Sequence, residues 1–274
     1  MIVQSEAADG SHFVLTMEQH TATGAVLAEH FGGTSLFDRP EPRDLFVELV
    51  AEHDRGWVPI DEKADRDPST DLPWSVFDAP LAHSLAAGVG TIDYNEGRHP
   101  FRGLLSSMHI SGIHNGRFGL TEANPVDHLT DEDLELLAAF LDSEQLRRDR
   151  LTEDLAADSQ TAAWVTSDVL MKCYKALQFF DMLALWLQVT HPSDRSPMVW
   201  SHVPGRESDY QIHFEQVDEV RVRLEPFPFD VDELPLVISG RQLWPQAPTV
   251  DLVTALEESE EIEQTVLLIG PGQQ

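Results

Sequence analysis

The sequence predicts a mainly helical fold, α+β overall. A helical bundle runs to about residue 190, opened by a short β hairpin and followed by a small β-rich region. Three observations predict it. Apolar residues recur at helical spacing through most of the first 190 positions, with cap signals between the runs. After His191-Pro192 the texture changes to period-two alternation, clearest in Val220-Arg-Val-Arg-Leu224. A chain of 274 residues, 42% hydrophobic with 16 Gly and 17 Pro, fits one large domain or a medium domain with an appendage. The expected division is a helical domain at 1–190 and a β-rich extension at 191–274.

Each element has a local reason. Residues 2–5 and 12–16 flank the turn-prone Ala8-Asp-Gly-Ser11 and read as a hairpin. Helices are expected over 17–31 and 44–54, the second stopped at Gly56. The polar, proline-bearing stretch 59–73 reads as a loop long enough to wall a site. Helical patterns resume near 79–93 and 101–113. Thr130-Asp-Glu-Asp133 forms a capping box ahead of a helix to about 157, and another long helix covers 160–189. Strands are expected at 210–214, 220–224 and 236–239, then a helix at 251–264 and a last strand at 265–269.

Charge narrows the function classes. Against 48 acids stand 15 Arg and only three Lys (Lys63, Lys172, Lys175), for a net charge of -30. Acids spread along the whole chain with Lys this scarce resemble proteins of salt-accumulating halophiles, where salt screens the self-repulsion. A Lys/Arg stripe able to neutralise phosphates is missing, which argues against nucleic-acid binding. Val165–Val189, the longest apolar-rich stretch, carries Asp168, Lys172, Lys175 and Asp181, so no membrane span is expected. One cysteine, Cys173, excludes an internal disulfide and a cysteine-zinc cluster, and no secretory signal is visible in the first residues. The expectation is a cytoplasmic protein; the sequence sets no oligomeric state, and a homodimer is compatible with it.

Three polar residues sit where helical spacing predicts core. His20 shares a face with Gly24, Leu27 and Phe31. His53, with Asp54 beside it, shares one with Leu45, Phe46, Leu49 and Val50. Asp181 shares one with Leu170, Tyr174, Leu177 and Leu185. A lone buried carboxylate costs several kcal/mol. Ligation of a divalent cation by imidazole and carboxylate is the simplest compensation, although single inward histidines are commonly just hydrogen-bonded core residues. His109, on the face of Phe101, Leu105 and Gly112, also points inward; His83 faces only Ala79, Ala86, Ala87 and Gly90.

The order His20, His53-Asp54, Asp181 resembles the HD-domain superfamily of metal-dependent phosphohydrolases, whose helical core binds metal through that series. With His83 and His109 added, the order resembles its two-metal branch. That branch includes the HD-GYP phosphodiesterases and the mixed-valent diiron oxygenases such as myo-inositol oxygenase. More narrowly, several phrases are similar to the family called domain of unknown function 3891: Met1-Ile-Val, Gln19-His20, Glu52-His-Asp-Arg-Gly-Trp57, Ser106-Ser-Met-His109, Leu177-Gln-Phe-Phe-Asp-Met-Leu183 and Leu234-Pro-Leu-Val-Ile238. That resemblance covers nearly the whole chain and implies no activity.

The superfamily resemblance implies one or two divalent ions (Fe, Mn, Mg or Zn) on His20, His53, Asp54, His83, His109 and Asp181, with Asp54 placed to bridge. From Gly97 to Leu120 there is no Asp or Glu, while Arg98, Arg102 and Arg117 fall inside, which predicts an electropositive wall for a phosphate or carboxylate. Arg102 and Arg117 are therefore candidate catalytic groups beside Asp54. The leading expectation is a metal-dependent hydrolase acting on a small phosphorylated or anionic molecule. The alternatives are a diiron oxygenase with the same ligands and a non-enzymatic binding protein with a structural site.

Overall fold

A computed structural model describes residues 1–32, 40–121 and 129–272. Strands β1 (Ile2–Val3) and β2 (His12–Leu15) lead into helix α1 (Met17–His30). Thr16 starts α1 with a capping box to Gln19, satisfying amides that the first turn leaves unpaired. Helix α2 (Pro40–Ala51) follows, then a 3₁₀ turn (Arg55–Trp57), the short α3 (Val58–Asp61) and a two-stranded ribbon of β3 (Arg66–Asp67) and β4 (Leu72–Pro73). Next come α4 (Leu81–Arg98), α5 (Pro100–His114), the tight turn α6 (Gly116–Gly119), α7 (Asp131–Ala157) and α8 (Ser167–Val189). The capping box expected at Thr130 and Asp133 does start α7.

The second half supplies β5 (Met198–Val203), β6 (Tyr210–Gln216), β7 (Arg221–Glu225), β8 (Glu233–Leu243), α9 (Leu252–Glu258) and β9 (Glu261–Ile269). These strands join β1 and β2 in one seven-stranded sheet of order β1-β2-β8-β9-β7-β6-β5. All neighbours are antiparallel except β7 and β9, which run parallel. Alternation sorts the faces: Leu234, Leu236 and Ile238 of β8, Val222 and Leu224 of β7, and Ile212 and Phe214 of β6 are buried. They pack with α8, whose Leu177, Phe179, Phe180, Leu183 and Leu187 are fully buried, in one continuous apolar core. Burying an aliphatic or aromatic side chain of this size stabilises by about 1.5–3 kcal/mol, so α8 is the keel on which helices and sheet meet.

The expected helical bundle with a separate hairpin and a small β region is corrected here. The fold is α+β, 51% helix and 19% strand, with a seven-stranded mixed sheet beside the small β3–β4 ribbon. Its N-terminal hairpin is not an isolated ornament, because His12, Phe13 and Val14 of β2 pair with Leu243, Gln242 and Arg241 of β8. Nothing local announces a partner so far along the chain. Strand β5 escaped notice because a bulge between Trp200 and Val203 breaks its alternation. Glu261–Gln264, expected as helix, is strand because β8 offers a continuous ladder from Glu233 to Arg241 that overrides local preference. The 59–73 loop contains α3 and the β3–β4 ribbon.

Candidate metal centre

Four segments deliver five side chains to one place. His20 lies in the first turn of α1, His53 and Asp54 in the turn between α2 and the 3₁₀ turn, His109 on α5 and Asp181 on α8. Small residues permit the approach. Gly24 brings α1 against α2, where an added Cβ would lie 3.3 Å from Val50 and 3.8 Å from the His53 ring. Gly56 sets the turn directly on α4: its amide donates to Thr91 Oγ1 at 2.8 Å, and Asn95 Nδ2 donates to the Glu52 carbonyl at 3.0 Å. The His53 ring stands edge-on to His20 (centroids 5.3 Å apart) and to His109 (5.1 Å).

Hydrogen bonds fix how the rings present themselves. The Thr23 hydroxyl donates to the Gln19 carbonyl and accepts from Gln188 Nε2, so Gln188 Oε1 faces His20 Nδ1 and accepts its proton at 2.6 Å. His20 Nε2 is thereby turned on Asp181 Oδ1 at 3.1 Å and Asp54 Oδ2 at 4.0 Å. His53 Nδ1 donates to the Val50 carbonyl at 2.7 Å, which turns its Nε2 toward Asp54 Oδ2 at 3.5 Å and Asp181 Oδ1 at 3.7 Å. Those spans are too long for good hydrogen bonds, and this Nε2 is buried with no hydrogen-bond partner among the described residues. Gln178 Nε2 donates to His109 Nδ1 at 2.7 Å, which leaves the proton of the neutral His109 ring on Nε2.

Electrostatics sharpen the picture. Burial opposes charge on His53, but Asp54 and Asp181 outweigh it and push the imidazole up to about 9. Burial likewise opposes ionisation of Asp181, yet the hydrogen bond from His20 and the adjoining His53 imidazole hold it well below the usual carboxylate range. Burial dominates at His109, pushing it down to about 4 and keeping it neutral. A proton on His53 balances one of two buried carboxylates; a divalent cation balances both. With ligand bonds of about 2.1 Å, neighbouring donors lie roughly 3–3.5 Å apart, and opposed ones about 4 Å. The observed 3.1–4.0 Å spacings match that frame. Two overlapping groups, His20-His53-Asp54 and His53-His109-Asp181, each keep their donor atoms within 4.8 Å and could hold a metal ion. The imidazoles are sealed, while the carboxylates of Asp54 and Asp181 keep 10% and 11% of their surface open, so the accessible side of the cluster is its acidic side.

Two expected members fall elsewhere. His83 is exposed in the first turn of α4 and belongs to neither group. That helix turns Leu85, Gly88, Ile92 and Asn95 inward, and His83 lies half a turn off their face. Arg102 is buried, but its guanidinium is already engaged, donating to Asn95 Oδ1 at 2.8 and 3.1 Å and to Glu48 Oε2 at 2.8 Å. It clamps α5 to α4 and α2 instead of facing a substrate. The acid-free stretch has a simple cause over most of its length, since α5 is buried from Phe101 to Gly112 and unpaired carboxylates there would be costly. Arg117 is different. It sits in α6 with φ 54° and ψ 45°, its guanidinium 4.4 Å from the Trp200 ring centroid and near enough to Asp181 to feel its charge.

Sequence reasoning missed Gln178 and Gln188, the side chains that orient two of the rings. Their signal was available: both lie on α8, three residues before and seven after Asp181, as polar residues on an otherwise apolar inward face.

No helix among the described residues is long and apolar enough to cross a membrane. No curated protein matches the chain, and neither does any solved structure. A family model does match, over residues 1–244, which carry all five clustered side chains. On that match the chain belongs to the family described as Protein of unknown function (DUF3891).

Proposed function

We propose that His20, His53, Asp54, His109 and Asp181 hold one divalent cation and that the chain is a metal-dependent hydrolase acting on a small phosphorylated or otherwise anionic molecule. One observation carries the reading: buried imidazole nitrogens, each aimed by a hydrogen bond on the opposite side of its ring, converge on two buried carboxylates at ligand spacing. The order of these residues along the chain, which resembles the HD-domain phosphohydrolases, favours hydrolysis. A cation bound there would supply Lewis acidity and a water of lowered pKa.

The protein supplies the rest. Gln188 Oε1 and the Val50 carbonyl accept from the far side of the His20 and His53 rings, the role that outer partners play around ligating histidines, and Gln178 would do the same for His109 with its amide turned over so that Oε1 accepts. The core seals the imidazole side against water. Asp54 and Asp181, on the open side, are placed to take a proton from an entering nucleophile. One ion is favoured over two because His83 stands outside the cluster, and the same fact weighs against the diiron oxygenase alternative.

Elemental analysis of wild type and of Asp54→Asn, which preserves side-chain shape, tests the reading. About one metal per wild-type chain and little in the folded variant is expected, together with phosphate release from small phosphoesters that follows metal content. A wild-type protein that takes up no divalent metal at neutral pH refutes the site. Full loading with no turnover of phosphomonoesters, phosphodiesters or nucleotides refutes the hydrolase assignment.

A further inference from the structure

Beside the metal centre is a cavity of about 220 Å3. Its walls come from α6, α8 and β5, and include Arg117, Lys175, Gln178, Trp200, Ser201 and His202. The volume lies below the range typical for drug-sized ligands, so its occupant is small. We propose that this cavity seats the anionic group, carboxylate or phosphate, of the molecule processed at the metal centre, with Arg117 as its principal cationic contact. The role in turnover rests on the metal reading above; the anion site does not.

Three observations carry the assignment. Arg117 is half-buried, and its guanidinium has no hydrogen-bond or ion-pair partner among the described residues, its one strong contact being the face of Trp200. Two other arginines without a carboxylate, the buried Arg148 and Arg195, give their guanidinium protons to hydroxyl, amide or carbonyl oxygens, so open donors on a half-buried guanidinium set Arg117 apart from them. The neighbouring cation is not free: Lys175 Nζ lies 2.5 Å from Asp209 Oδ2, with His202 Nδ1 3.6 Å from the same oxygen. Arginine left with open donors against an aromatic wall is suited to a planar carboxylate or a phosphate.

Backbone strain gathers at the same place. Among the described residues five non-glycine positions have positive φ, and Arg117 (54°), Phe118 (54°) and His202 (63°) are three of them. The β5 bulge from Trp200 to Val203 aims Trp200 and His202 at the cavity. Such strain persists where surrounding structure enforces it, commonly at ligand sites. The cavity also communicates with the cluster, because Gln178 lines it and bonds His109 Nδ1 at 2.7 Å.

The test titrates the purified, metal-analysed protein with inorganic phosphate and with succinate, followed by calorimetry and by tryptophan fluorescence against Trp200→Phe. Arg117→Asn removes the cation while tolerating the left-handed backbone; Arg117→Lys restores charge without the planar fork. Saturable binding of either anion is expected in wild type. It should weaken roughly ten- to hundredfold in Arg117→Asn, recover partly in Arg117→Lys, and leave metal content unchanged. Phosphate-only or succinate-only binding identifies which group the cavity takes. Failure of wild type to bind either, or equal binding by Arg117→Asn, overturns the proposal. The two readings fail separately: anion binding without metal removes the metal centre alone, and stoichiometric metal without anion binding removes the pocket alone.

Discussion

Replacing Gly56 by alanine adds one methyl group where the His53-Asp54 turn rests on α4. The new Cβ would lie 1.9 Å from the Ala87 carbonyl oxygen, 2.6 Å from the Thr91 amide nitrogen and 2.8 Å from the Ala87 carbonyl carbon, all helix backbone, with no flexible side chain to give way. Side-chain Cβ contacts essentially never fall under 3.0 Å, so turn and helix must part by at least about 1 Å. Overpacking of this kind costs about 1–3 kcal/mol. The same separation stretches the 2.8 Å bond from the Gly56 amide to Thr91, at about 1 kcal/mol for a part-buried hydrogen bond. Gly56→Ala should therefore lose about 2–4 kcal/mol in urea denaturation monitored by circular dichroism. Because the displaced turn carries two of the five clustered side chains, metal content at equal free metal should fall as well. A variant within about 0.5 kcal/mol of wild type that binds metal normally would refute the view that this backbone contact positions the cluster.

Other consequences follow from the same geometry. Gln188→Leu removes the acceptor that turns His20 Nε2 toward Asp181; metal affinity should drop about 10- to 100-fold with the fold retained, and unchanged affinity in a competition assay with a chelating dye would contradict the role. His83→Ala should leave metal stoichiometry at the wild-type value, and a lost ion would return His83 to the ligand set. In metal-free protein two histidines pull in opposite directions. His53, raised to about 9, contributes stability that is complete below its ordinary 6.5 and is lost as pH rises through 9. His109, lowered to about 4, contributes stability present above 6.5 and lost as pH falls through 4. Urea midpoints measured with chelator should accordingly peak near pH 6.5 and fall on both sides, and saturating metal should remove the alkaline loss, since a ligated His53 has already given up its proton. A flat profile across pH 4–9 would show that neither ring titrates as its surroundings require.

What the sequence determined by itself was whatever depends on neighbours three or four residues away. The Thr130–Asp133 capping box, the inward faces of His20, His109 and Asp181, and the alternation of Val220–Leu224 are all local, because helix and strand periods are properties of the backbone. The family resemblance was legible in contiguous phrases, above all Glu52–Trp57, which holds two clustered side chains and the glycine that seats them on α4. Tertiary structure alone decided the rest. Pairing of β2 with β8 and of β7 with β9 depends on edges that meet only after the chain has folded, so a mainly helical bundle with a β appendage gave way to a molecule whose hairpin and C-terminal strands share a seven-stranded sheet. It also separated three arginines that composition had grouped. Arg98 lies against Tyr94, Arg102 is spent on Asn95 and Glu48, and Arg117 alone faces a cavity. Composition counts charges, but only packing determines which of them already has a partner.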